Sequence, residues 1–145
     1  MIHAPAIDEL FVAARGLGTW KQRRGQPTVR VYSRPWRTSR PARIVESRSH
    51  PSPELETYLR TLPLARRTRV GSSLRFCRVA EGEADLYPRF GPMMEWDVAA
   101  GDCIYRNSTA AAERLSPFHY NNADLRVPGF VLGHDETAVR DRVQT

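Results

Sequence analysis

The sequence is poor in cysteine and lysine and has no long apolar run. Its two cysteines, Cys77 and Cys103, lie far apart and form no CxxC pair. We therefore expect small core residues with reduced thiols rather than a disulfide or a zinc site. No apolar stretch approaches the roughly 20 residues that a membrane helix needs. The first residues also lack the basic and apolar segments of a signal peptide. These absences predict a cytoplasmic protein without a membrane partner.

Arginine supplies almost all of the positive charge. Lys21 is the only lysine among 22 basic residues, and the formal net charge is +6. A planar guanidinium group recognises phosphate in a bidentate manner, although a compositional bias of the genome would also enrich arginine. A nucleic-acid-binding surface requires clustered arginines interleaved with exposed aromatic residues. The arginines here are scattered, with one denser stretch at 34–43, so the sequence argues against a nucleic-acid partner.

The order of the predicted elements indicates an α/β fold in a single domain over residues 1–145. This length is that of one ordinary domain. Apolar patterning and turn signals predict strands over 2–3, 9–14, 18–22, 28–32, 42–47, 67–70, 84–87 and 130–132. Capping signals and helical spacing predict helices over 52–62, 73–80, 97–106 and 136–143. Strands that alternate with helices are typical of layered α/β proteins.

The most informative stretch runs from Met94 to Asp102. Trp96 directly precedes Asp97, which is predicted to open a helix rich in small residues. Backbone N–H groups orient a carboxylate at a helix N-terminus, and such a carboxylate suits a metal ion or a sugar hydroxyl. The alternative is a plain helix cap. Small residues such as Gly101 would let this helix pack closely against a neighbour.

Two further segments precede this stretch. The first, Val70-Gly71-Ser72-Ser73-Leu74-Arg75-Phe76-Cys77, contains a Gly-Ser-Ser turn, and the second is Ala84-Asp85-Leu86-Tyr87-Pro88-Arg89-Phe90-Gly91-Pro92. Residues 70–101 resemble the C-terminal half of the inositol monophosphatase superfamily, most of all the 3'(2'),5'-bisphosphate nucleotidases. The resemblance implies the C-terminal half of a layered α/β/α/β/α sugar-phosphatase fold, truncated at the N-terminus.

The resemblance assigns roles to five residues. His50, at the end of a Ser-Arg-Ser-His segment, would contact the nucleotide. Ser72 would bind phosphate at the turn before a helix. Arg75 stands where the family commonly has lysine, so it would keep the positive charge but change its geometry. Arg89 would contact phosphate or base. Asp97 would be the catalytic residue, as a ligand of Mg²⁺ that also contacts the substrate sugar.

Purely structural interpretations stand beside these roles. His50 and Arg89 would otherwise be ordinary loop residues, and Ser72 or Ser73 would be a helix cap. Three further acids, at positions 81, 83 and 85, receive no ligand role from the resemblance. We expect these acids to be solvated surface groups.

The chemistry of the family sets a further requirement. Members cleave a phosphomonoester with a metal-activated water, which needs several converging carboxylates. The Trp-Asp pair is present here, but no Asp-Pro-x-Asp-Gly segment occurs. The resemblance thus implies a Mg²⁺-dependent phosphatase for 3'-phosphoadenosine 5'-phosphate or a related phosphorylated nucleotide or sugar, impaired as an isolated chain. The alternatives are an inactive nucleotide- or phosphate-binding remnant and an inositol monophosphatase.

The predicted truncation also bears on partners. A sheet that lacks its neighbours exposes unpaired edges and apolar surface. We therefore expect either self-association or a complementing N-terminal half.

Overall fold

The computed structural model describes residues 1–48, 52–109 and 118–133. Its helices are α1 (Pro53–Leu59), α2 (Leu74–Ala80) and α3 (Glu95–Arg106), with a 3₁₀ turn at Pro5–Ile7. The strands are β1 (Ile2–Ala4), β2 (Glu9–Ala14), β3 (Gly18–Arg23), β4 (Val29–Val31), β5 (Ala42–Ser47), β6 (Leu64–Val70), β7 (Tyr87–Arg89), β8 (Met93–Met94), β9 (Arg126–Val127) and β10 (Phe130–Leu132). No helix in these ranges combines the length and the apolar character that a bilayer crossing requires. The predicted helix over 136–143 lies outside the described residues.

The N-terminal strands form an antiparallel sheet in sequence order, β1-β2-β3-β4. Strand residues alternate between the two faces. Phe11 of β2 is fully buried, whereas its neighbour Val12 is 43% exposed. Trp20, which pairs with Val12 across β2 and β3, is 39% exposed on the same outer face. One face of this sheet is therefore packed and the other carries exposed apolar side chains.

A second, mixed sheet is built around β5. Strand β6 pairs with β5 in parallel, and a parallel bridge joins Ile44 to Leu86 on the other side of β5. The Val45 amide donates to the Leu86 carbonyl at 3.0 Å. Beyond this bridge, β10 pairs antiparallel with β7. Because β5, β6 and β7 run in the same direction, their carboxyl ends meet at one edge of the sheet.

Helices α2 and α3 lie between the two sheets. Val98 of α3 belongs to a buried cluster with Val45 and Tyr87 of the mixed sheet. Further along the same helix, Ile104 belongs to a second buried cluster with Phe11 of the antiparallel sheet. The helical layer thus buries apolar side chains in both directions, which is the main favourable contribution to such a fold.

Helix α1 covers the other face of the mixed sheet. Leu55 and Leu59 join a buried cluster with Ile44 of β5. The Ser52 hydroxyl accepts a hydrogen bond from the Leu55 amide at 3.3 Å, and Pro53 follows at the first helical position. The predicted start of this helix is confirmed. The layers follow one another as sheet, helices, sheet and helix, which confirms the predicted α/β class.

The strand predicted over 84–87 is shifted in the structure, because β7 covers Tyr87–Arg89. The preceding segment does not form a regular ladder. The amides of Asp85 and Leu86 both donate to the same carbonyl, that of Arg43, at 2.8 and 3.2 Å. The side chain of Asp85 accounts for this irregular pairing with β5.

Asp85 is fully buried, so the prediction of a solvated carboxylate was wrong. Arg43 donates from Nε at 2.9 Å and from Nη2 at 2.8 Å to the two carboxylate oxygens. Arg40 adds a third hydrogen bond of 2.8 Å. Burial would raise the pKa of Asp85, but these hydrogen bonds outweigh it and lower the pKa to about 2. The ion cluster ties the entry of β7 to β5.

The prediction for Glu81 was also wrong, whereas Glu83 is half-exposed as expected. The Glu81 side chain is 11% exposed and contacts both Lys21 and Arg78. These two cations also reach the fully buried carboxylate of Glu9, at 2.9 Å from Lys21 and 2.6 Å from Arg78. The network connects the antiparallel sheet to α2.

Gly101 marks the closest approach of α3 to α2. A Cβ atom at this position would lie 2.4 Å from the Cγ and Cδ2 atoms of Phe76. Phe76 is only 1% exposed and its ring is packed in the core cluster, so an added methyl group would have to displace it. The close helix packing expected from the small residues of this stretch is confirmed.

The buried Asp85 cluster makes folding stability depend on pH. The folded-state pKa of about 2 lies below the unfolded value of roughly 4. The stabilisation is therefore complete above the unfolded pKa and is lost as the pH falls towards 2. Urea denaturation measures the free energy of unfolding, which should fall in the wild type as the pH is lowered. In Asp85→Asn this fall should be about 2 kcal/mol smaller.

Glu83→Gln is the matched control for this measurement, since it removes a nearby half-exposed carboxylate. The free energy of unfolding of Glu83→Gln should depend on pH as it does in the wild type. A residual slope is expected in every variant because the pKa of Glu9 is also lowered to about 2. Identical pH profiles for the wild type and Asp85→Asn would contradict the assignment.

Gly101→Ala should destabilise the protein by about 1–3 kcal/mol, since the new methyl group overpacks the Phe76 ring. This sign is opposite to helix propensity, which favours alanine by about 1 kcal/mol. Chemical denaturation measures the change. Adding Phe76→Leu to the Gly101→Ala protein should recover part of the loss, and a Gly101→Ala protein as stable as the wild type would refute the contact.

Candidate active site

A cavity of about 510 Å³ opens at the edge where β5, β6 and β7 end. This volume lies in the range of roughly 300–1,000 Å³ that is common for small-molecule sites. The residues on its wall come from the ends of these strands, the start of α2 and the region of β8, α3 and β9. They are Ser47, Arg48, Gly71, Ser72, Ser73, Arg75, Phe76, Arg89, Pro92, Met93, Met94, Asp97 and Arg126. The sheet topology therefore gathers segments that are distant in sequence.

Arg75 is the most buried cation of the pocket, at 8% exposure. Its guanidinium group lies 5.0 Å from the centroid of the Tyr87 ring, an attractive cation–π arrangement. Its Nη1 atom donates to the carbonyl of Val70 at 3.2 Å. Burial raises the pKa of the Tyr87 hydroxyl. These contacts fix the guanidinium at the side of the pocket.

Two buried N–H groups in the pocket wall lack a hydrogen-bond partner among the described residues. They are the Nε atoms of Arg75 and Arg89. A buried donor that loses its bond to water and gains none in the protein costs about 1–3 kcal/mol, and more when the group is charged. Both residues line the pocket, so an anion that reaches these donors would supply the acceptors that the described residues lack. The sequence-based choice of Arg75 and Arg89 thus selects two side chains that the fold brings together.

Ser72 also lies on the pocket wall. Its φ of +56° places a non-glycine residue in the left-handed region, a conformation that costs energy and is frequent at functional sites. Ser73 is the N-cap of α2, but its side chain forms no capping hydrogen bond. The Ser73 hydroxyl instead donates to the Asp97 carbonyl at 3.4 Å, which connects this turn to α3.

Asp97 lines the pocket, but it does not open α3 as predicted. The helix begins at Glu95 with Met94 as N-cap, so Asp97 is its third residue and is solvent-exposed. Within the described parts of the chain, no hydrogen bond or ion pair holds the Asp97 carboxylate. Its oxygens are therefore free to contact a ligand in the pocket.

Glu95, two residues before Asp97, has a carboxylate that backbone N–H groups hold in place. The sequence had suggested this arrangement for Asp97. The Glu95 carboxylate accepts hydrogen bonds from the amides of Asn121 and Asn122 at 2.9 and 2.8 Å. These backbone hydrogen bonds lower the pKa of Glu95. The Glu95 amide in turn donates to the Leu125 carbonyl at 2.9 Å. Residues 121–125 are thus fastened to the start of α3, beside Asp97.

The pocket residues do not build a complete magnesium site. Mg²⁺ requires near-octahedral oxygen coordination, and among the described residues Asp97 is the one acid on the pocket wall. No group of three or more His, Cys, Asp or Glu residues suited to a metal ion occurs in the described ranges. The described residues therefore contribute one candidate metal ligand, Asp97.

The structure adds pocket residues that sequence reasoning missed. Arg48 and Arg126 are exposed cations on the wall, and Met93 and Met94 supply apolar surface. Arg48 lies in the segment that was selected for His50, so a weak signal existed, whereas nothing in the sequence singles out Arg126. His50 itself lies outside the described residues. Both cysteines are free; Cys77 is in the core as predicted, while Cys103 is partly exposed.

Comparison with known proteins places these features in a family. The 3'(2'),5'-bisphosphate nucleotidase CysQ of Salmonella typhimurium is 45% identical over 105 residues, covering 72% of this chain and 40% of that protein. CysQ of Escherichia coli K12 is 44% identical over the same shares of the two chains. The crystal structure of CysQ from Bacteroides thetaiotaomicron superposes with a TM-score of 0.67 at 35% identity, covering 88% of this chain and 54% of that one.

The chain thus spans well under two thirds of the length of these relatives. Residues 1–132 match the sequence model of the inositol monophosphatase family. With this match over most of its length and these similarities in sequence and fold, the chain belongs to the inositol monophosphatase family.

Proposed function

We propose that this chain forms the substrate-binding part of a phosphatase for phosphorylated nucleotides of the 3'(2'),5'-bisphosphate class. The observation that carries the proposal is the pair of buried, unpartnered Nε atoms of Arg75 and Arg89 on the pocket wall. A phosphate oxygen is the kind of acceptor that arginine N–H groups bind most strongly.

The shape and charge of the pocket support this assignment. Arginines outnumber acids four to one on its wall, counting Arg48, Arg75, Arg89 and Arg126 against Asp97. A phosphate monoester carries about −1.5 to −2 charge at neutral pH, so it complements this surface. The buried position of Arg75 also reduces screening by solvent, which strengthens the attraction.

The relatives favour a nucleotide as the substrate. The proteins of Salmonella typhimurium and Escherichia coli that resemble this chain are named bisphosphate nucleotidases. The second candidate is a phosphorylated sugar such as an inositol phosphate, which the same arginines would accept. A direct comparison of ligands separates the two.

Hydrolysis requires more than the described residues provide. Asp97 offers one carboxylate to the pocket, and a family-type Mg²⁺ site needs further acidic ligands. We therefore assign phosphate binding to this chain and derive no hydrolytic step from its residues. The missing ligands would come from a complementing N-terminal segment.

The exposed face of the antiparallel sheet is the proposed contact for that segment. Val12 and Trp20 leave apolar surface on this face, and the chain spans 40% of the Salmonella relative. In this arrangement residues 1–145 act as one unit and contribute substrate contacts, while the partner contributes metal ligands. Self-association through the same face is the competing outcome. A cytoplasmic location stays a prediction.

Calorimetric titration with 3'-phosphoadenosine 5'-phosphate tests the binding role. Arg75→Gln should weaken the affinity by about 10- to 100-fold, the loss expected when a charge-assisted hydrogen bond worth about 1.5–3 kcal/mol is removed. Arg66→Gln, an exposed β6 residue away from the pocket, is the matched control and should bind like the wild type. A thermal melt verifies that Arg75→Gln remains folded.

The result that would sink the binding role is an absence of heat at millimolar nucleotide. Inositol monophosphate serves as the comparison ligand. Tighter binding of this ligand than of the nucleotide would replace the nucleotide assignment with the sugar assignment.

Phosphate release with and without Mg²⁺ tests whether this chain supplies the substrate contacts and a partner segment supplies the metal ligands. We expect no Mg²⁺-dependent release from the chain alone, because Asp97 is the single carboxylate of the pocket. This chain covers 40% of the Salmonella CysQ relative, and adding the N-terminal segment of that relative as the proposed partner should restore release. Asp97→Ala should abolish the restored activity while leaving the complex intact in size-exclusion chromatography. Release from the chain alone would contradict the proposed division.

A further inference from the structure

Arg126 occupies a position in the pocket that the family resemblance does not explain. It is the first residue of β9, and its backbone pairs with Met94 of β8. The next residue, Val127, is fully buried in the core. Because strand residues alternate between faces, the burial of Val127 turns Arg126 towards the opposite side, where it lines the pocket.

The position of Arg126 is fixed by the loop before it. Leu125 has a φ of +55°, and its carbonyl accepts the Glu95 amide at 2.9 Å. Asn122 donates from Nδ2 to the Arg126 carbonyl at 3.0 Å and to a Glu95 carboxylate oxygen at 2.9 Å. The strand that carries Arg126 is therefore anchored to the same helix start that carries Asp97.

The guanidinium group of Arg126 forms no ion pair with any described residue. Asp124 is the nearest acid in sequence, but its carboxylate accepts the Arg126 backbone amide at 3.1 Å. Arg126 is also exposed, in contrast to the buried Arg75. In the pocket, Arg75 is thus a buried cation packed against Tyr87, whereas Arg126 is a solvent-exposed cation on a different element.

Because Arg75 and Arg126 come from different elements and line one pocket, the pocket can offer positive charge to two anionic groups of one ligand. Building on the proposed function, we propose that Arg126 binds a second phosphate of the substrate while Arg75 and Arg89 bind the first. Arg126 is then a specificity-determining residue that favours bisphosphorylated over monophosphorylated nucleotides.

Isothermal titration of the full chain with two ligands tests the inference. The probes are 3'-phosphoadenosine 5'-phosphate and adenosine 5'-phosphate. The wild type should bind the bisphosphate more tightly. Arg126→Gln should weaken bisphosphate binding about tenfold, as for one charge-assisted hydrogen bond, and should change the monophosphate affinity less than about twofold. Arg126→Lys should keep part of the preference because the charge remains.

Arg66→Gln is the control for a general effect of net charge and should leave both affinities unchanged. Equal losses for the two ligands in Arg126→Gln would overturn the inference, as would equal wild-type affinities for them. Equal losses in Arg126→Gln leave the proposed function standing, whereas equal wild-type affinities keep phosphate binding but remove the assignment to the bisphosphate class. If the wild type binds neither ligand, the proposed function and this inference are both overturned.

Discussion

The buried carboxylate of Asp85 is the constraint on which the site depends. It accepts a bidentate pair of hydrogen bonds from Arg43 of β5 and a further hydrogen bond from Arg40. A buried charge without partners would be strongly destabilising, whereas this set of partners compensates the desolvation. The consequence is geometric, because the cluster holds the start of β7 beside β5. The carboxyl ends of both strands can then meet at one edge and form the pocket.

Helix packing provides the second constraint. Gly101 lets α3 approach the Phe76 ring of α2, and this approach brings the starts of the two helices together. Arg75 in the first turn of α2 and Asp97 in the first turn of α3 consequently line the same pocket. A larger residue at the crossing would move Arg75 away from Asp97.

The division between binding and catalysis follows from the chemistry of the side chains present. Phosphate recognition needs fixed N–H donors, and the described residues supply them from several elements. Metal-assisted hydrolysis needs several convergent carboxylates, and the pocket wall has one, Asp97. The chain covers 40% of the length of the Salmonella CysQ protein, so our proposal places the remaining metal ligands in a different segment.

Local patterns and motifs were sufficient to predict several elements and the family. Alternation and turn residues placed β2 at the predicted positions, the Ser-Pro start placed α1, and the small residues of α3 indicated its close packing. The family resemblance also selected Ser72, Arg75, Arg89 and Asp97, which all line the pocket, and their roles there stay predictions. Only the tertiary structure decided that Asp85 is buried, that Glu95 rather than Asp97 is fixed by backbone amides, and that Arg126 joins the pocket. The reason is that each of these outcomes depends on partners at least 25 positions away, and such distances are set by strand order and helix packing rather than by local pattern.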